Sequence, residues 1–92
     1  MIGHEPLLYN KTMTTNDTEY SQALPEGTVK VLVQCRSAND VLLSFSPSQS
    51  GTNFITLKSG SVYYDDMIDA SRTLYFQCEE SGKILEILVW VK

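Results

Sequence analysis

Two stretches of the chain alternate apolar and polar residues with a period of two, and this limits the fold more than any other feature. Val29, Val31, Val33 and Cys35 are apolar at every second position, with Lys30, Gln34 and Arg36 among the residues opposite. Leu74, Phe76 and Cys78 repeat the pattern against Tyr75, Gln77 and Glu79. Successive side chains of a strand point to opposite faces, so each stretch reads as a strand with one core face and one largely solvated face. That division is characteristic of antiparallel sheets.

Turn chemistry separates further short apolar runs. Pro25-Glu26-Gly27 precedes a strand over 28–36, and the polar residues 37–40 precede one over 41–46. A loop at 47–52 leads to a strand at 53–57, and Ser59-Gly60 turns the chain into a short strand at 62–64. Ser81-Gly82 divides 73–79 from 83–91, which predicts a hairpin between those two strands. Asp65 to Arg72 fits either one helical turn, through Met67, Ile68 and Ala70, or a loop. Residues 1–22 are rich in Thr, Asn and charge, with Leu7, Leu8 and Tyr9 as their apolar cluster, and read as an extended N-terminal arm with room for one early strand. The expected fold is all-β: a single antiparallel β-sandwich, jelly-roll or immunoglobulin-like, of about six to eight short strands over 23–92. With 92 residues and 42% hydrophobic content, one core is the expectation. Such a chain buries only about 60 to 65% of its unfolded surface, so association would add useful stability.

The charge pattern excludes some partners. The formal net charge is −4, and the basic residues Lys11, Lys30, Arg36, Lys58, Arg72, Lys83 and Lys92 are scattered, so no stripe forms to track nucleic acid. The longest uncharged apolar run, Ile87 to Val91, is far shorter than a membrane helix needs. The opening MIGHEPLLYNKTMTT lacks a basic region followed by an apolar stretch and a small-residue cleavage site, so it does not read as a signal peptide.

Residues able to carry chemistry are few. His4 is the sole histidine and lies in the polar arm, where a base is rarely held in reach of a nucleophile. Asp65, Asp66 and Asp69, with Glu79 and Glu80, are the densest carboxylates. They lack the glycine and terminal glutamate of a calcium loop and read as a solvated turn, with a weak cation site as the alternative. Gly51, Gly60 and Gly82 each stand beside a serine and are turn residues. No catalytic residue, cofactor or metal site is expected.

Cys35 and Cys78 share the core register of two strands. Free buried thiols are the leading expectation, given no export signal, and a disulfide is the alternative. The run DASRTLYFQC loosely resembles the approach to the second cysteine of immunoglobulin domains, yet Phe76 stands where the corner tyrosine would be, and no tryptophan follows Cys35.

The last strand is the most informative for function. Leu85, Ile87, Val89 and Val91 can join the core, which leaves Ile84, Leu88 and Trp90 on the other face. Either the N-terminal arm, through Leu7, Leu8 and Tyr9, or a partner chain must cover them. Three such side chains would bury on the order of 300 to 400 Å², or roughly 8 to 10 kcal/mol. Association costs about 4 to 15 kcal/mol, so one patch makes a weak contact and many linked copies a tight one.

The phrases ALPEGTVKVLVQCRSANDVLLSF, FITLKSGSVYYDD, TLYFQCEE and ILEILVW, after a Thr-rich opening, resemble in order the small β-sandwich proteins that decorate or cement the capsids of tailed bacteriophages. The resemblance covers about Ala23 to Val91. It implies a non-enzymatic virion protein on the capsid surface, assembled in the host cytoplasm, bound to the major capsid protein and self-associated, often as a trimer. It brings no catalytic residues. The alternative is a carbohydrate- or receptor-binding module, such as that of a phage fibre, with Tyr63, Tyr64, Tyr75 and Trp90 as a stacking platform. A secreted immunoglobulin-like domain is a third reading, disfavoured by the absent signal.

Overall fold

In the computed structural model, residues 6–66 and 72–91 are described. They contain β1 (Leu7–Met13), β2 (Tyr20–Ala23), β3 (Thr28–Cys35), β4 (Val41–Ser44), β5 (Ile55–Leu57), β6 (Val62–Asp65), β7 (Thr73–Gln77) and β8 (Lys83–Val91). Antiparallel pairing joins β1 to β8, β2 to β7, β3 to β6 and β4 to β5, so the chain is one long hairpin wound upon itself. Two further pairings, β3 with β8 and β4 with β7, close the strands into sheets of order β1-β8-β3-β6 and β2-β7-β4-β5. This is the jelly-roll arrangement of an eight-stranded sandwich. The immunoglobulin-like alternative, with its A-B-E-D and C-F-G sheets, does not fit this order.

The two-residue alternation decides which face each strand turns inward. From one sheet Val31, Val33, Leu85, Ile87 and Val89 enter the core, and from the other Val41, Leu43, Leu57, Leu74 and Phe76 meet them. Register aligns these residues across strands: Val33 and Tyr9 both flank Ile87, and Leu43 lies opposite Phe76. Met13 and Leu24, at the ends of the first two strands, seal the core. Removing the wholly buried Phe76 ring would cost about 3 to 5 kcal/mol, because close-packed neighbours cannot fill the void.

Two expectations are corrected by this topology. The sandwich does not begin at residue 23: Leu7–Met13 and Tyr20–Ala23 are strands of the two sheets, so they take up most of the segment read as an arm. Its polar composition suits an edge strand, where few positions face the core. The Ser81-Gly82 turn is present, but β7 and β8 lie in different sheets and are not hairpin partners. Both strands send their apolar faces into one core from opposite sides, which requires the chain to cross between layers there. Gly82 makes the crossing at φ 78° and donates its N–H to Met13 O at 2.7 Å. Any other residue would be strained there by about 1 to 2 kcal/mol. The choice between helix and loop over 65–72 falls largely outside the described residues, although Asp65 closes β6.

Candidate functional site

The outward face of β1-β8-β3-β6 carries an apolar row built by register alone. Leu8 lies opposite Leu88, Leu88 opposite Leu32, and Leu32 opposite Tyr64, one residue from each strand. The ends of the row are open, with Leu8 62% and Tyr64 50% exposed, while Leu88 and Leu32 are half-buried by their in-plane neighbours. Ile84 and Trp90 lie on the same face of β8, Ile84 opposite Thr12 and Trp90 opposite Lys30. Beside the row runs a second one, Asn10, Glu86, Gln34 and the exposed Val62. Glu86 accepts from Gln34 Nε2 at 2.8 Å and pairs with Arg36 Nε at 2.9 Å. These two donors hold its carboxyl below the usual range.

Of the expected interface residues, Leu8, Ile84, Leu88 and Trp90 therefore share one face. Leu7 and Tyr9 do not: they sit opposite Val89 and Ile87 on the inward register, and Tyr9 packs against the core. β1 lies beside β8 in the plane of the sheet and not over its face. Leu32 and Val62 are not singled out by the sequence, and Tyr64 enters it only as part of a stacking platform and not as a member of the row with Leu88. Only the pairing of β3 with β8 and β6 reveals them, and nothing local signals it.

The opposite outward face, of β2-β7-β4-β5, is partly covered by the chain itself. The connection 45–54 folds back so that Ser50 is wholly buried, its hydroxyl 3.0 Å from Gln77 Oε1. The anchor is Glu19, whose carboxylate accepts from Ser48 N at 2.7 Å, from Ser50 N at 3.0 Å and from the Ser50 hydroxyl. Burial alone would raise the Glu19 carboxyl, but the Ser50 hydroxyl and the Ser50 and Ser48 N–H groups hold it below its ordinary value. Ser48 takes a left-handed φ of 63° to aim its N–H at the carboxylate. At Gly51 a Cβ would come 3.3 Å from Gln77 Oε1, so the close approach of the loop suits glycine.

The proposed stacking platform is dispersed. Tyr64 and Trp90 face outward on one sheet, and Tyr75 faces outward on the other, opposite Ser21 and Ser44. Tyr63 turns inward opposite Val33, with its ring 5.9 Å from that of Phe45. Burial, then the Asp65 carboxylate that accepts its hydroxyl at 3.2 Å, pushes the Tyr63 phenol up.

Cys35 and Cys78 are both free thiols, Cys35 half-buried and Cys78 buried. Burial pushes the Cys78 thiol up and suppresses its thiolate. Asp66, Glu79 and Glu80 are exposed, and Glu80 accepts from Asn39 Nδ2 at 2.7 Å. His4 and Asp69 lie outside the described residues. Among the described residues no three His, Cys, Asp or Glu side chains are grouped to hold a metal ion, and no helix is long and apolar enough to cross a membrane. Comparison with protein families, curated proteins and solved structures finds no match to this chain.

Proposed function

We propose that the protein is a non-catalytic virion component that lays the outward face of β1-β8-β3-β6 on a capsid shell and cements it by multivalent contact. The observation that carries the reading is the continuous row Leu8-Leu88-Leu32-Tyr64, left open on a sandwich whose core is otherwise closed. Exposed contiguous apolar surface of this kind marks interaction sites. The resemblance to phage decoration proteins supplies the partner, the major capsid protein, and the expectation of a homo-oligomer such as a trimer. Jelly-roll domains are common in viral shells, which is an argument by analogy of fold.

The energetics favour many copies over one. The row offers a few hundred Å² on the order of a small contact, too little to offset the loss of translational and rotational freedom with much surplus. Linking copies through a symmetric oligomer makes later contacts intramolecular. The test is to mix purified protein with empty phage heads. Expected is saturable binding at a stoichiometry set by shell symmetry, with a raised melting temperature of the heads. Absence of binding to any shell overturns the reading.

A further inference from the structure

Where the 45–54 connection stops covering the face of β2-β7-β4-β5, it leaves a cleft of about 340 Å³. Its floor is Leu42 and Thr56, paired neighbours on β4 and β5 whose side chains point away from the core. Phe54, the last residue of the connection before β5, stands 40% exposed as a wall. Asp40 and Lys58 flank the floor from the strand ends, and Asp17 and Glu79 close the other side. The hydrogen bond from Asp17 N to Cys78 O, 2.8 Å, brings these last two segments together.

We infer that this cleft binds a neutral saccharide ring, a function beyond the capsid contact and on the other sheet. Acidic side chains alone would be a solvated surface, but here an exposed aromatic wall and an amine without a salt bridge share a cleft with them. Among the described residues the Arg36–Glu86 pair is the sole salt bridge, so the Lys58 ammonium is free to donate. Asp40 spends Oδ1 on Ser59 N at 2.7 Å and keeps Oδ2 as an acceptor.

Charge and shape choose among ligand classes. A cationic side chain would be drawn by the carboxylates but would leave the Lys58 ammonium repelled and without an acceptor, and an anion would meet three carboxylates. An apolar ligand would strip water from four charges without return. A sugar ring uses everything present: its C–H face lies on Phe54 and Leu42, its hydroxyls donate to Asp17, Asp40 and Glu79, and they accept from Lys58 and Thr56. The volume lies at the small end of ligand pockets, which suits one ring.

The test is a two-dimensional amide NMR titration of the full chain with glucose, galactose, mannose and N-acetylglucosamine, and with methylguanidinium as a cationic probe. Expected is that at least one sugar shifts the amides of Leu42, Phe54, Thr56 and Lys58, and that Phe54→Ala weakens it about tenfold, the value of one aromatic contact. Glu79→Gln, on an exposed side chain, gives a second reading that leaves the fold intact and also weakens binding. No shift with any of the four sugars, shifts untouched by both variants, or shifts with methylguanidinium alone overturns the inference.

Discussion

The two outward faces of the sandwich have met the same physical problem differently. Both sheets turn an alternating apolar set into a common core, and both must then do something with the residues left outside. On β2-β7-β4-β5 the outward residues are mostly polar, as with Ser21, Thr56 and Gln77, and the 45–54 connection folds over part of them, anchored by the three donors to Glu19. On β1-β8-β3-β6 the outward residues include Leu8, Leu88, Leu32 and Tyr64, and Leu8 and Tyr64 at the ends of that row stand exposed. The partly covered face is mostly polar and keeps apolar surface only around Leu42 and Phe54, whereas the other face carries a row of apolar residues across all four strands.

Substitutions in the inner faces should show that the sheets are equal there. Phe76→Ala should cost about 3 to 5 kcal/mol and Ile87→Ala about 2 to 5 kcal/mol, read by denaturant unfolding. A much smaller loss on either sheet would mean that the core does not join both layers.

The covered face should give a smaller, pH-dependent effect. Glu19→Ala is expected to cost about 1 to 2 kcal/mol, through loss of charge-assisted hydrogen bonds on a half-exposed group. Because the folded protein holds the Glu19 carboxyl below its ordinary value, its contribution is present above the unfolded pKa and is lost as pH falls through the lower, folded one. Acid should thus weaken the wild type below about pH 4, and Glu19→Gln should flatten that part of the profile. An unchanged profile would break the link between Glu19 and the connection.

The open face should behave in the opposite sense. Leu8→Ser should change stability by no more than about 0.5 kcal/mol and Leu88→Ser by about 1 kcal/mol, while both reduce binding to a shell. If Leu88→Ser unfolds the monomer, Leu88 belongs to the core and the contrast between faces fails. Arg36→Ala should leave the melting temperature in place, since an exposed ion pair is worth little.

The smallest effect concerns the thiols. An electrophilic thiol reagent on the native protein should modify Cys35 before Cys78, whose buried thiol is pushed up, and denaturation should expose two free thiols. A count of zero would mean a disulfide.

Much of this contrast is written locally in the chain. The period-two runs of β3 and β7 and the doubly apolar β8 identify strands and faces from their own residues, and they point to Ile84, Leu88 and Trp90 as outward. What depends on distant pairing is not written there. Leu32 and Leu88 are neighbours only through the β3–β8 register, and Tyr64 joins them through β6. β1 has a single apolar cluster followed by Asn10, Lys11 and Thr12, so its place in the sheet is set by the partner strand and not by its own pattern. The crossing at Ser81-Gly82 uses the same turn chemistry as a hairpin, and only the shared core distinguishes the two. The cleft was equally hidden, because Phe54, Asp17 and Glu79 converge through a loop anchor and a hydrogen bond between main chains.

The most direct measurement compares wild type, the double variant Leu8→Ser/Leu88→Ser and a control, Ser21→Ala, on the opposite face, in binding to empty heads by co-sedimentation. The account predicts saturable binding by wild type and control, and loss of binding by a double variant that remains folded by circular dichroism. Equal binding by all three would contradict the claim that the open face of β1-β8-β3-β6 is where this protein meets its partner.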